Sequence, residues 1–365
     1  MTAGKCDPLA KRLARSGYRT ALGLQTLISA RRRRGAPKVF YGGARPGSGG
    51  GPLVKVARLN EYFPEDRWAY NTVYLLSNTP YLPRAALRRL KQRGVPTVLN
   101  QNGVFYPAWF GGNWRAKNQE MAAAYHLADH VFWQSSFSRR SADCFLGERE
   151  GPGEILFNAV DTTHFSPLPE RPDRPVTFLV AGRFEHHLYP RIGDALDGLA
   201  RLQHEGRDVA LVIAGSMDDE CRSRCRADVA RLALEEVVIL YGAYEQSGAP
   251  EVYQAADIYI MTKPNDPCPN TVIEALASGL PVIYSETGGV PELVGSDAGW
   301  PLSCDEDFDT MRWPGVDDLT AAMALAADGF AAAATAARER AVERYDLDRW
   351  IGRHRDVFAS LLENR

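Results

Sequence analysis

The sequence predicts an α/β protein built from two Rossmann-like domains, each a parallel sheet covered by helices. Three observations carry this. Short apolar runs of strand character alternate with amphipathic helical stretches. The series ends at a segment rich in proline and charge, then starts again. A chain of 365 residues also exceeds what one ordinary core takes in.

Taken in order, Asp7 to Arg34 reads as a basic amphipathic helix or pair of helices, with Leu9, Leu13, Leu22, Leu24, Leu27 and Ile28 interrupted by Lys and Arg. The first strand is Lys38-Val39-Phe40-Tyr41. It runs into a glycine-dense loop, Gly42 to Pro52, and then a helix containing Leu53, Val56 and Leu59. Strand, glycine loop and helix form the opening unit of a nucleotide-handling domain. Further strands are expected at 73–76, 97–100, 130–134 and 154–157, with helices at 83–93, 114–128 and 137–145 between them. Residues 161–174, with Pro167, Pro169 and Pro172, read as a linker. Beyond it come strands at 176–181, 209–214, 237–241, 258–261 and 281–285, separated by helices at 192–204, 222–234, 250–255 and 271–278. A closing helix is expected from Tyr345. The domains so read are a basic extension 1–35, an N-terminal domain 36–165 with the helix 345–365 packing back on it, and a C-terminal domain 166–344.

Composition narrows the function classes. A net charge of −2 gives no sign of a chain devoted to nucleic acid, although residues 1–38 hold ten Lys or Arg against one acid, Asp7. The six cysteines are scattered, as reduced thiols are, and point to the cytoplasm. No stretch approaches the roughly 18 to 20 apolar residues of a membrane span. The basic N-terminal segment is compatible with peripheral contact to an anionic membrane, on its inner face. Its other reading is a solvated extension.

The most informative segment is Lys263 to Ile283. Asn270 is a suitable N-cap, and Gly279 with Pro281 ends the helix. The helix starts at the carboxyl end of the 258–261 strand, so free N–H groups at Thr271 and Val272 would meet a ligand in the crevice of an open sheet. A diphosphate fits such a helix start. Asp266 and Glu274, with seven residues between them, can accept hydrogen bonds from paired hydroxyls, as on a hexose and a ribose. The Asp305-x-Asp307 pattern lies in a polar insertion and reads as a solvated loop, so no metal site is expected.

These residues resemble the acid-x7-Glu signature of the family-4-type retaining glycosyltransferases. The resemblance includes Ser285-x2-Gly288-Gly289-Val290-Pro291-Glu292, Ala181-Gly182-Arg183, Tyr253-x2-Ala256-Asp257, and Asn158-x-Val160-Asp161-x3-Phe165-x-Pro167. It implies the GT-B fold, two Rossmann-like domains facing across a cleft, and transfer of a sugar from a nucleotide-diphosphate donor with retention and without a metal or cofactor. The donor would be UDP- or GDP-linked and the acceptor a small molecule, glycan or lipid-linked group. By resemblance, Glu274 holds the ribose, Asp266 the transferred sugar and Arg183 the diphosphate. Thr271 and Val272 bind phosphate through their N–H groups, and Gly49-Gly50-Gly51 let backbone approach it. Three departures stand out. Asp266 replaces the usual Glu, and the basic residue after the Gly-Arg pair is missing, with Arg191 the nearest candidate. Asn102 sits where the family often has His, as an acceptor or sugar contact. The alternatives are a nucleotide-sugar epimerase on the same architecture and a non-catalytic nucleotide-sugar binder.

Overall fold

The computed structural model describes residues 9–29, 35–47 and 51–363. The chain divides into two compact units. The first takes in the chain up to Phe157, residues Phe308–Met311 and the stretch from Asp348 on; the second holds the remainder.

The first unit opens with helix α1 (Leu9–Ser29), which is part of this unit and not a separate extension. There follow β1 (Val39–Phe40), α2 (Gly51–Tyr62), β2 (Thr72–Leu76), α3 (Arg84–Gln92), β3 (Thr97–Gln101), α4 (Trp114–Leu127), β4 (His130–Trp133), α5 (Ser136–Leu146) and β5 (Gly153–Ile155). The five strands are parallel in the order β1-β2-β3-β4-β5. Alternate residues serve opposite faces. Val73, Leu75, Leu99 and Val131 join a core with side chains of α1, α3, α4 and α5. Tyr74 and Phe132 point the other way, to the His354 and Phe358 rings of the closing helix described below.

The second unit runs β6 (Val176–Ala181), α6 (Pro190–His204), β7 (Val209–Ala214), α7 (Asp219–Arg231), β8 (Val238–Gly242), α8 (Ala249–Gln254), β9 (Ile258–Met261), α9 (Asn270–Ala277), β10 (Val282–Ser285), α10 (Val290–Val294), β11 (Gly299–Leu302), α11 (Val316–Asp328) and α12 (Ala331–Arg344). Its six parallel strands lie in the order β11-β10-β9-β6-β7-β8. Counted by appearance, this is the Rossmann order, with the direction of winding reversing between β6 and β9. Phe178, Val180, Leu211 and Ile213 face α6 and α11 in a continuous core. α13 (Leu347–Glu363) then returns the chain to the first unit.

The boundary falls between Phe157 and Asn158, not at 165/166. The reason is local: Asn158 Nδ2 donates to the Cys268 carbonyl (2.9 Å) and to Asn270 Oδ1 (2.8 Å), which ties this residue to the second unit. β11, α11 and α12 were not expected from the sequence. In the acidic insertion Asp305, Glu306 and Asp309 are exposed, as a solvated loop requires, and Phe308 is the residue that packs. Residues Phe308–Met311 belong to the first unit, where the Phe308 ring packs on Tyr106 and Phe145 and its carbonyl accepts from the Ala108 N–H (2.9 Å). No single helix among the described residues is long and apolar enough to cross a membrane.

Candidate functional site

The reversal between β6 and β9 opens a site at the carboxyl ends of these strands. Each local feature has a backbone cause. β6 is followed by Gly182, whose φ of +145° few other residues adopt. The loop after β9 carries Asn265 at φ +57° and turns back over Gly288. A Cβ on Gly288 would stand 2.6 Å from the Asp266 carbonyl oxygen, and the Gly289 N–H donates to that same oxygen (2.9 Å). The Gly288-Gly289 pair is therefore what lets the Asp266 loop lie flat against the next turn.

Glu274 lies in the middle of α9 and is only 6% exposed. Its carboxylate accepts from the Tyr253 hydroxyl (2.8 Å) and Gln246 Nε2 (3.1 Å). Tyr253 is wholly buried, and burial first, then the Glu274 charge, pushes its phenol well above the usual range. It thus stays a hydrogen-bond donor that fixes the carboxylate. Asp257 of the same Tyr-x2-Ala-Asp motif accepts from Arg171 Nε (2.9 Å), Arg174 Nη2 (3.2 Å) and the Thr177 N–H (2.9 Å). It anchors the start of β6 beside β9.

Asp266 is held differently. Lys263 Nζ stands 2.9 Å from one carboxylate oxygen, and the Cys268 N–H donates to the other (3.3 Å). Lys263 is thus a second basic group at this loop, one that no sequence motif marked.

Arg191 is the most unusual side chain here. It is 4% exposed. Nη2 donates to the Ala181 carbonyl (3.0 Å) and touches Met261 Sδ (3.6 Å), and the guanidinium lies 5.0 Å over the Phe184 ring. No carboxylate pairs with it among the described residues, and its Nε is buried without a partner. Removing an uncompensated charge from water costs several kcal/mol. Arg183, by contrast, has a side chain 79% exposed and paired with Glu185 at 3.4 Å. Of the two arginines, Arg191 is the one held within the fold.

At the start of α9 the geometry departs from expectation in two ways. Pro269 is the N-cap, and Asn270 is the first helical residue with its side chain taken by Asn158. The Val272 N–H is not free but donates to the Pro269 carbonyl (3.2 Å). The Thr271 N–H makes no hydrogen bond among the described residues. Thr271 is therefore an open backbone donor at this helix end, as is the Asn270 N–H.

The remaining candidates lie in the first unit. Gly49 and Gly50 fall outside the described residues, and Gly51 begins α2. Asn102 follows β3. Its Oδ1 accepts from Gln134 Nε2 (2.7 Å) and Lys55 Nζ (3.3 Å), and its Nδ2 donates to Asn78 (2.9 Å). Lys55 is 6% exposed and also donates to Asn100 Oδ1 (2.7 Å). Nothing in the sequence marked this lysine, since a Lys on an amphipathic helix ordinarily faces water. Among the described residues no cluster of three His, Cys, Asp or Glu could hold a metal, and the Asp307 carboxylate faces Arg312 at 3.2 Å.

Comparison with known proteins agrees with this layout. Residues 175–311 match the family model of glycosyl transferases group 1. Among curated relatives, one component of the human phosphatidylinositol N-acetylglucosaminyltransferase is 28% identical over 57% of this chain and 42% of its own length. The Escherichia coli lipopolysaccharide 1,6-galactosyltransferase is 26% identical over 49% of this chain and 48% of its own. The chain thus spans under half the length of these relatives. Among solved structures, Anabaena HepE in complex with UDP and glucose superposes with a TM-score of 0.65 at 18% identity, over 85% of this chain and 82% of that one. Sucrose-phosphate synthase from Thermosynechococcus elongatus gives 0.65 at 16%, over 82% and 75%. At such identities the structures speak for the fold, two Rossmann-like domains of the GT-B kind. The chain is related to the glycosyl transferases group 1 through its second unit and resembles the family-4-type retaining glycosyltransferases.

Proposed function

We propose that this protein is a glycosyltransferase that takes a sugar from a nucleotide-diphosphate donor and passes it to an acceptor with retention of configuration. The observation that carries this reading is the buried Arg191 guanidinium, without a carboxylate partner among the described residues, at the carboxyl end of β6. A fixed cation in a low-dielectric site is suited to the charge that develops on a departing diphosphate. The Thr271 N–H and the positive end of α9 add to it. Glu274, oriented by Tyr253 and Gln246, accepts donor hydroxyls. Asp266, with Lys263 beside it, is the group assigned to the transferred sugar. Because leaving-group charge is met by these groups, no metal or other cofactor enters the scheme, and the departing phosphate takes the acceptor proton. The matched relatives, named for sugar transfer, support the same reading.

The test is donor binding followed by turnover. UDP or GDP at a hundred times its dissociation constant should add about 2.7 kcal/mol of stability. Absence of any shift with either nucleotide would remove the donor site. A non-catalytic binder is the second reading, favoured by the Lys263–Asp266 ion pair, which occupies one of the proposed sugar-binding carboxylates. Donor binding without transfer or slow hydrolysis would select it.

A further inference from the structure

A surface helix ordinarily buries its apolar stripe, and α1 does the reverse. The side laid against the first unit is largely polar. Tyr18 donates to the Gly43 carbonyl (2.8 Å), Gln25 to the Arg67 carbonyl (2.6 Å) and Arg15 to Glu120 (3.4 Å), while Ser29 meets the Tyr70 hydroxyl (3.2 Å). Leu22 is the large apolar side chain buried on that side. Arg89 of α3 and Arg93 just after it donate to the Gly23 (3.2 Å) and Leu27 (2.8 Å) carbonyls, so the helix is pinned in this orientation.

The outward side holds Leu13, Leu24, Leu27 and Ile28, exposed by 64, 57, 43 and 69%. At 3.6 residues per turn these four share an arc of about 100°. Gly17 and Thr20, which fall on the same arc, are uncharged. On α3, which packs against α1, Arg84, Arg88 and Lys91 are exposed, and α3 contains no acid. In the sequence, Lys11-Arg12 and Arg31 to Arg34 bracket the stripe at its two ends. Aliphatic side chains framed by cations match a bilayer surface with anionic headgroups. Two copies of this surface set face to face would instead oppose their basic rows.

We propose that the outward face of α1, together with the basic row of α3, docks on an anionic lipid surface with the helix in the membrane plane. Leu13, Leu24 and Ile28 enter the acyl boundary, and the arginines and lysines pair with lipid phosphates.

The experiment is co-sedimentation of the full chain with vesicles of phosphatidylcholine alone or equimolar with phosphatidylglycerol, beside light scattering of the protein without lipid. The wild type pellets with the mixed vesicles and stays in solution with the neutral ones. Leu24→Glu with Ile28→Glu weakens that partitioning by about tenfold or more, the factor equivalent to 1.4 kcal/mol, at an unchanged melting temperature. Three results would overturn the proposal. One is a wild type that ignores both vesicles. Another is a double variant that pellets as well as the wild type. The third is a wild-type dimer that the double variant dissolves without any vesicle binding, which would assign the face to a second copy of the chain.

Discussion

Arg191 gives the sharpest residue-scale expectation because its two roles pull in opposite directions. In the free protein it is a charge kept from water with carbonyl, sulfur and ring contacts but no acid. Replacing such a charge by an apolar side chain of similar volume is often neutral or stabilising. Arg191→Met should therefore hold or raise the melting temperature while abolishing most of the shift that UDP or GDP produces. The Tyr259 hydroxyl still donates to the Ala181 carbonyl (3.1 Å), so that acceptor is not orphaned. A lower melting temperature with nucleotide binding intact would make Arg191 a structural residue. Gly288→Ala makes the converse case. At φ +72° and with the Asp266 backbone in the way, an added methyl should cost about 1 to 3 kcal/mol and displace the acidic loop. Wild-type stability by chemical denaturation would contradict that packing.

At the scale of elements, α13 holds a titrating group wholly inside the first unit. His354 Nδ1 faces the Trp350 carbonyl (2.8 Å) and so carries the proton, leaving Nε2 to accept from the Tyr74 hydroxyl (3.0 Å). Burial, above all, lowers its pKa to about 3. The unfolded chain takes up this proton near pH 6.5 and the folded one does not until about pH 3. The histidine thus costs no stability above pH 6.5. Below it the folded state loses up to about 1.4 kcal/mol per pH unit, down to the folded pKa. The unfolding free energy from urea titrations should fall by up to that slope between pH 6 and about pH 4, and less steeply in His354→Gln; parallel slopes would show that other groups carry the acid sensitivity.

Elements also show what could be read in advance. α9 was legible because the polar Asn270, an apolar run and a Gly279 stop lie within one continuous stretch. Arg191 was reached by its nearness to the Gly182-Arg183 turn. Lys55 was not, since its burial depends on Asn100 and Asn102, which join it only through the folding of β3 against α2. The Pro269 cap was missed for a related reason: the Asn270 side chain, free to cap in the sequence, is claimed by Asn158 from far along the chain. α11 and α12, rich in alanine, lack the strong apolar periodicity that marks a helix face.

For the molecule as a whole, the two parallel sheets could be read from the sequence, because buried parallel strands are continuous apolar runs; the division between them lies eight residues before the expected 165/166. Which unit owns residues 308–311 could not, since that depends on the Phe308 ring finding Tyr106 and Phe145. The orientation of α1 was equally hidden: its hydrophobic periodicity is clear, but the side turned inward is the polar one. If cations of the protein alone meet the leaving diphosphate, a chelator should leave the transfer rate unchanged. Strict dependence on added magnesium or manganese would overturn that part of the scheme.

The central claim is donor turnover at the β6–β9 site, and release of free nucleotide from a panel of UDP- and GDP-sugars tests it most directly. The wild type should release nucleotide from at least one donor, slowly without acceptor. Glu274→Gln, which loses a charged acceptor worth about 1.5 to 3 kcal/mol, should slow it by roughly 10- to 150-fold with its melting temperature preserved. Equal rates for the two proteins, or no release from any donor that binds, would contradict the account.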